Sequence, residues 1–255
     1  MKNNITHKLY STLHRLDKID FILRVGLERD AGHDDESKID LLVGCERGGI
    51  QSHSSKIKTL LKDRWPEVRM TVSDDNVRFG FSASSGGIAV YDSTNLVHQV
   101  KDWVNGENLN GQHRPWAIGH WLPEALCGDL ATAESLYDAK GIYAETKKLV
   151  VPYPSSLSYA IVSICADEIR QKLVKFNRLA KENRPIESTL CLSDIGAAIV
   201  RLVFARNRCY LRGFQSLAEQ AASLQPSDFA LCELVLNLFR KKGTEHTLNE
   251  IRKQL

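Results

Sequence analysis

The run Ser37 to Val43, SKIDLLV, holds the clearest opportunity for chemistry in this chain. Side chains two apart on a strand point the same way, so Lys38 and Asp40 share a face where the run turns apolar. An ammonium group there is a competent phosphate point charge. It is also hostile to a divalent metal, because +1 beside +2 at 4 Å costs roughly 8 kcal/mol at an effective dielectric of 20. Glu36 would share the face with Asp40, yet four residues of strand put the two about 13 Å apart, too far to bind one ion together. The plainer reading is a surface ion pair between Lys38 and Asp40 at a strand end, which contributes little to stability. Glu28, Asp34, Asp35, Asp74, Asp75 and Asp92 are acids that loops could bring near.

Other polar side chains interrupt apolar helical stretches: Asp167 and Glu168 in one, Arg201, Arg206, Asn207 and Arg208 in the next. For these a solvated helix face or an ion pair inside a bundle is the ordinary explanation. The segment QHRPWAIGHWLPE gathers His113, His120, Trp116 and Trp121, which suits either a cleft wall that stacks a base or core packing at a seam. Gly48–Gly49 and Gly86–Gly87 stand beside strands without a Walker or Rossmann pattern and read as turns. The six cysteines are scattered, with no Cys-x-x-Cys pair and no histidine at zinc spacing, so they read as reduced structural thiols.

The elements that must position these groups change character along the chain. Ile5, Leu9, Leu13 and Leu16 have helical spacing, Phe21 to Val25 and Ile39 to Val43 read as strands, and SKIKTLLK from Ser54 as a short basic helix. Strand character returns in WPEVRMTV. NVRFGF from Asn76 and GIAVY from Gly87, joined by a turn-rich link, read as adjacent antiparallel strands. A helix follows from Asp92 to about Trp103, then a polar break and a strand-like SLYD. Residues 155–183, 188–208 and 214–240 are long apolar-periodic stretches punctuated by Pro185, Gly213 and Pro226. The expected organisation is α+β: a mixed-sheet domain over 1–150 and a helical bundle over 151–255.

At 255 residues with 43% hydrophobic content, the chain can build one large core or two modest ones. A net charge of +3 gives no bulk field toward nucleic acid or an acidic membrane, so any anion site must be local. The N-terminus has no signal-peptide core and no stretch reaches membrane-spanning length, which points to a cytoplasmic protein.

The segment from Arg24 to Val43, RVGLERDAGHDDESKIDLLV, resembles the signature of the polymerase-beta-type nucleotidyltransferase superfamily, which includes minimal and kanamycin-type members. That signature is a strand, a Gly-Ser turn, a polar loop with Arg and Gly, and Ser-Asp-x-Asp entering the next strand. Gly26 holds the glycine position, Leu27 stands where serine is expected, Arg29 and Gly32 fill the loop, and Ser37, Lys38, Ile39 and Asp40 occupy Ser-Asp-x-Asp. The third carboxylate of the family falls in IAVYDSTNL, at Ala89. The resemblance implies a two-metal transfer of a nucleoside monophosphate from a nucleoside triphosphate to a hydroxyl of a small molecule or protein, with Mg²⁺. It would place Gly26, Arg29, Ser37 and Lys38 around the nucleotide, Asp40 on the metal, and Glu168, by location, as the general base. Leu27, Lys38 and Ala89 depart from the pattern. They point instead to a module that has lost metal-dependent catalysis and acts through a bound nucleotide or a protein partner, with Lys38 standing in for the metal as a fixed cation.

Overall fold

The computed structural model describes residues 10, 11, 13, 14, 16–25, 40–62, 68–72, 76–80, 87–109, 122–212 and 217–238. The chain divides into two compact units, Met1–Asp102 with Gln112–Pro152, and Trp103–Gly111 with Tyr153–Leu255.

The first unit is built on six strands: β1 Ile19–Arg24, β2 Asp40–Cys45, β3 Arg69–Val72, β4 Asn76–Gly80, β5 Gly87–Asp92 and β6 Glu134–Tyr137. They lie in the order β3-β4-β5-β2-β1-β6. All neighbours are antiparallel except β2 and β5, which run parallel from Asp40 opposite Gly87 to Cys45 opposite Asp92. A parallel pair needs a crossover, and here it consists of helix α1 (Gly49–Lys62) followed by the β3–β4 hairpin.

Strand alternation splits the sheet into two faces. On one, Leu41, Val43, Ile88, Val90, Val77 and Phe79 pack with Ile57 and Leu61 of α1 into a buried cluster. On the other, Leu23, Leu42 and Phe21 are buried. Gly44 is bare there because a Cβ would lie 2.3 Å from the Phe21 ring. Phe21 in turn packs against Tyr143 of α4 (Ile142–Val150), ring centroids 6.4 Å apart. The Tyr143 hydroxyl lies 3.1 Å from the Leu130 carbonyl and 2.9 Å from that of Ala133, tying α4 to the end of α3 (Pro123–Thr132). Helix α2 (Ser93–Val104) starts directly from β5, with Asp92 as its cap, accepting from the Asn95 amide at 3.0 Å.

The second unit centres on an antiparallel pair, α5 (Ser155–Lys181) and α6 (Pro185–Arg206), followed by the short α7 (Leu217–Ala221) and α8 (Pro226–Leu238). Ile161, Cys165, Ile169, Ile195 and Ile199 are buried, and Lys172 pairs with Asp194 across the two helices. Gly106, at φ +84°, lies where a Cβ would come 2.9 Å from that of Ala160, so only glycine suits both the turn and the close approach. Contrary to the sequence expectation that no stretch reaches membrane-spanning length, helix α6 is long and apolar enough to cross a membrane, although 61% of that stretch is buried inside the protein.

The architecture is α+β, as the sequence predicts, and the antiparallel pairing of NVRFG with GIAVYD is present. Three details differ. The basic helix begins at Gly49 instead of Ser54. The stretch 214–240 is two helices, α8 restarting at Pro226, where the missing N–H of proline costs a helix nothing. Helix α3 escapes a periodicity reading because every residue from Pro123 to Leu130 is buried, leaving no polar stripe.

Candidate functional site

Asp40 opens β2, and the pairing fixes what surrounds it. Its Oδ1 accepts a hydrogen bond from the Gly87 amide at 3.1 Å, joining the starts of the two parallel strands. Gly87 stands opposite Gly80 on β4, and a Cβ at Gly87 would lie 2.8 Å from the Phe79 carbonyl oxygen. The strand-to-strand approach therefore keeps that position bare. One step further along the same face, Leu42 stands beside Ala89, and Ala89 stands opposite Arg78.

Arg78 is half-buried. Its Nη2 donates to the Tyr91 hydroxyl at 3.0 Å, and its Nε donates to Asn76 Oδ1 at 3.4 Å. Tyr91 and Asn76 stand opposite each other in the β4–β5 ladder and are both buried. A guanidinium thus occupies the ladder position facing Ala89, where the nucleotidyltransferase pattern would have its third acid. Among the described residues no three of His, Cys, Asp or Glu come together to hold a metal ion. One carboxylate, an alanine and a guanidinium do not suit a pair of Mg²⁺ ions, since the guanidinium repels what the carboxylate attracts.

Gly26, Arg29, Ser37 and Lys38 lie outside the described residues, as do His113, Trp116, His120 and Trp121. Glu168 sits in the second unit on α5, partly exposed, where its charge adds to that of Asp194 in raising the Lys172 pKa; the hydrogen bond from Lys172 to Asp194 is the larger cause. Arg206 and Asn207 converge on the buried Asp228 near the start of α8. Arg206 forms an ion pair with it and Asn207 Nδ2 donates at 2.6 Å. They border an open hollow of about 440 Å³. The charges lining it are paired with one another, so the cluster fastens α6 to α8. A second hollow, of about 380 Å³, borders α4 at Tyr143 and Lys147.

Sequence reasoning missed Arg78. The signal lay in register: NVRFGF and GIAVY read as an antiparallel pair, but only the observed ladder sets Arg78 opposite Ala89.

The opposite end of the sheet is also rich in charge. Lys140 reaches Asp20, at 2.9 Å, and Glu46; Asp20 is 3% exposed. Hydrogen bonds to Glu46 and then to Asp20 hold the Lys140 pKa high. Cys45, fully buried, donates to the Tyr91 carbonyl at 3.3 Å. Burial, reinforced by the Asp92 and Asp20 charges, pushes its thiol up to about 12. All six cysteines are free, and five are buried. His53 of α1 lies against Gly49 at this end, 2% exposed, with neither ring nitrogen in a hydrogen bond. Burial first, then the Lys56 charge, lower its pKa; the nearby Asp17 backbone and carboxylate pull the other way.

No family model and no curated protein matches the chain. Among solved structures it is similar to a nucleotidyltransferase-like protein from Exiguobacterium sibiricum 255-15, at 13% identity and a TM-score of 0.45. The similarity covers 89% of this chain and 64% of that one, so the chain spans less than two thirds of its length. Likeness at this level carries nothing about chemistry.

Proposed function

We propose that the chain is a nucleotidyltransferase-like binding or regulatory module that holds a nucleoside triphosphate or a protein partner without metal-dependent transfer. The observation that carries this reading is Arg78 opposite Ala89: a cation stands beside the position where the family's chemistry needs a third acid. Lys38, by sequence in the Asp-x-Asp pair, adds a second cation in the same sense. Asp40 then serves mainly as a structural acceptor for the Gly87 amide. On composition we place the protein in the cytoplasm, with neither membrane nor nucleic acid as a partner.

A second reading keeps the transfer reaction, moving a nucleoside monophosphate to a small-molecule or protein hydroxyl, with Asp40 on Mg²⁺ and Glu168 as base. What favours it is the placement of Asp40 at the entrance of a strand parallel to β5, with Gly26, Arg29 and Ser37 preceding it in the sequence. Calorimetric titration with ATP in Mg²⁺ and in EDTA separates the two. The module should bind equally in both or not at all, and should transfer no labelled AMP. Tightening by Mg²⁺ together with transfer abolished in Asp40→Ala would establish the enzyme.

A further inference from the structure

We propose that the sheet edge at β6, with α4 beside it, is a docking groove for an extended acidic peptide segment of a partner protein. The inference goes beyond the readings above: it uses none of their residues and stands whether or not the chain transfers a nucleotide.

Three observations meet at one place in the first unit. The first is an open edge. β6 is the last strand in the order β3-β4-β5-β2-β1-β6, and it pairs with β1 through Glu134, Ser135 and Tyr137. Backbone groups alternate in direction along a strand, so every second residue of β6 presents its N–H and C=O away from β1. Among the described residues no strand follows on that side, and Glu134 and Ser135 are exposed.

The second is a hollow of about 380 Å³ against the same strand, lined by Ser135, Asp138, Tyr143, Ala144, Lys147 and Val151. Ser135 stands opposite Leu23, on the face that carries α4, while its neighbour Leu136 packs against the core cluster of the other face. A strand laid along β6 would send alternate side chains toward α4, and the hollow receives one of them. The Tyr143 ring, the Ala144 methyl and the half-exposed Val151 suit a large apolar residue. The other edge of the sheet, β3, is exposed on both faces, so a strand added there would find no such wall.

The third is charge. Asp138, the acid of the lining, has both oxygens engaged by the Tyr143 and Ala144 amides, at 3.1 and 2.9 Å. Glu134 pairs with Arg24 at 3.8 Å, and Lys148 with Glu145 at 2.6 Å. Lys147 lies over the Tyr143 ring, 5.6 Å from its centroid, and among the described residues no carboxylate pairs with it. A groove with one uncompensated cation and no uncompensated acid favours a peptide that brings a carboxylate beside its apolar anchor. Main-chain bonds to β6 would then supply affinity, and the hollow with Lys147 specificity.

The probe is a phage-displayed library of random peptides of about eight residues, panned against the full chain, with the selected peptide synthesised and titrated. Selection should enrich a large apolar residue with Asp or Glu two positions away, on the same side of the strand. Binding should weaken as salt rises. Ala144→Arg, which fills the hollow from an exposed helix position, and Lys147→Glu should each lose about tenfold or more in affinity, with thermal melts confirming that both fold. N-methylation of alternate peptide residues should abolish binding at one parity and spare it at the other, because only every second residue of the added strand faces β6.

The proposal is overturned if panning enriches no such pattern, or if the selected peptide binds both variants as it binds the wild type. Equal losses from methylation at both parities, as a bound helix would give, overturn it as well. Should either variant not fold, the methylation pattern decides alone. A dimer in light scattering that Ala144→Arg splits would assign the edge to a second copy of the chain and overturn the peptide. ATP titration and AMP transfer decide between the readings above and leave this groove untouched.

Discussion

The two ends of the six-stranded sheet carry similar side chains and use them differently. At the end where β2 and β5 finish, each acid has a fixed local partner, since Asp92 caps α2, and Asp20 and Glu46 share Lys140. At the end where those strands begin, Asp40 accepts from the Gly87 amide and Arg78 donates to the Tyr91 hydroxyl and to Asn76. Counting acids in the sequence could not separate these ends, because what distinguishes them is the kind of group each charge engages. The finishing end uses its charges for cohesion. The starting end ties a charge to the sheet's own backbone, through the Asp40–Gly87 bond.

The contrast can be broken or sharpened by substitution, beginning with the largest effect. Gly44→Ala near the finishing end would drive a methyl into the Phe21 ring, which is 1% exposed and has no room to retreat. A loss of about 3 kcal/mol is expected from the shift in urea midpoint. Next, Lys140→Met should lower the melting temperature by several degrees, because Asp20 is left buried without its cation. Pairing it with Asp20→Asn should restore part of the loss. No recovery would mean that Lys140 stabilises the fold by something other than its pairing with Asp20.

A smaller effect concerns acid. His53 has its folded-state pKa below the ordinary 6.5, so the unfolded chain takes up the proton first. Its contribution to stability is whole above pH 6.5 and is lost as the pH falls from there through the lowered folded value. Melting temperature recorded from pH 7.5 to 5 should decline below 6.5, and His53→Leu should flatten that decline. The smallest effect is an absence of reaction: Cys45, with its thiol pushed up to about 12, should resist iodoacetamide at pH 8 in the native protein and react only on unfolding. Rapid labelling in the native state would show that the finishing end opens.

Much of the fold can be read from the residues. The apolar run after Asp40 reads as a strand covered on both faces, and Val43 and Leu42 are each fully buried. Alternation exposes the β4–β5 pair, and Pro226 marks where α8 restarts. What escapes is information that lies between segments. Helix α3 is buried along nearly its whole length, so it lacks the polar stripe that makes a helix visible. Arg78 is one arginine in an alternating strand until the register puts Ala89 opposite it and Tyr91 within reach of its guanidinium. Of the site expected from sequence, Asp40 stands at the strand entrance as anticipated, whereas nothing in the sequence pairs it with Gly87, 47 residues away, which reads as a turn glycine at the start of the GIAVY strand.

That separation has a kinetic meaning. Because β2 and β5 are parallel, they cannot zip from a hairpin; α1 and the β3–β4 hairpin, which separate them in sequence, must be placed before Asp40 meets Gly87. Contacts so distant in sequence form late, since the chain must close a long loop before they can offset the entropy of closing it. The Asp40–Gly87 bond spans this late junction, so it exists only in molecules whose sheet is complete.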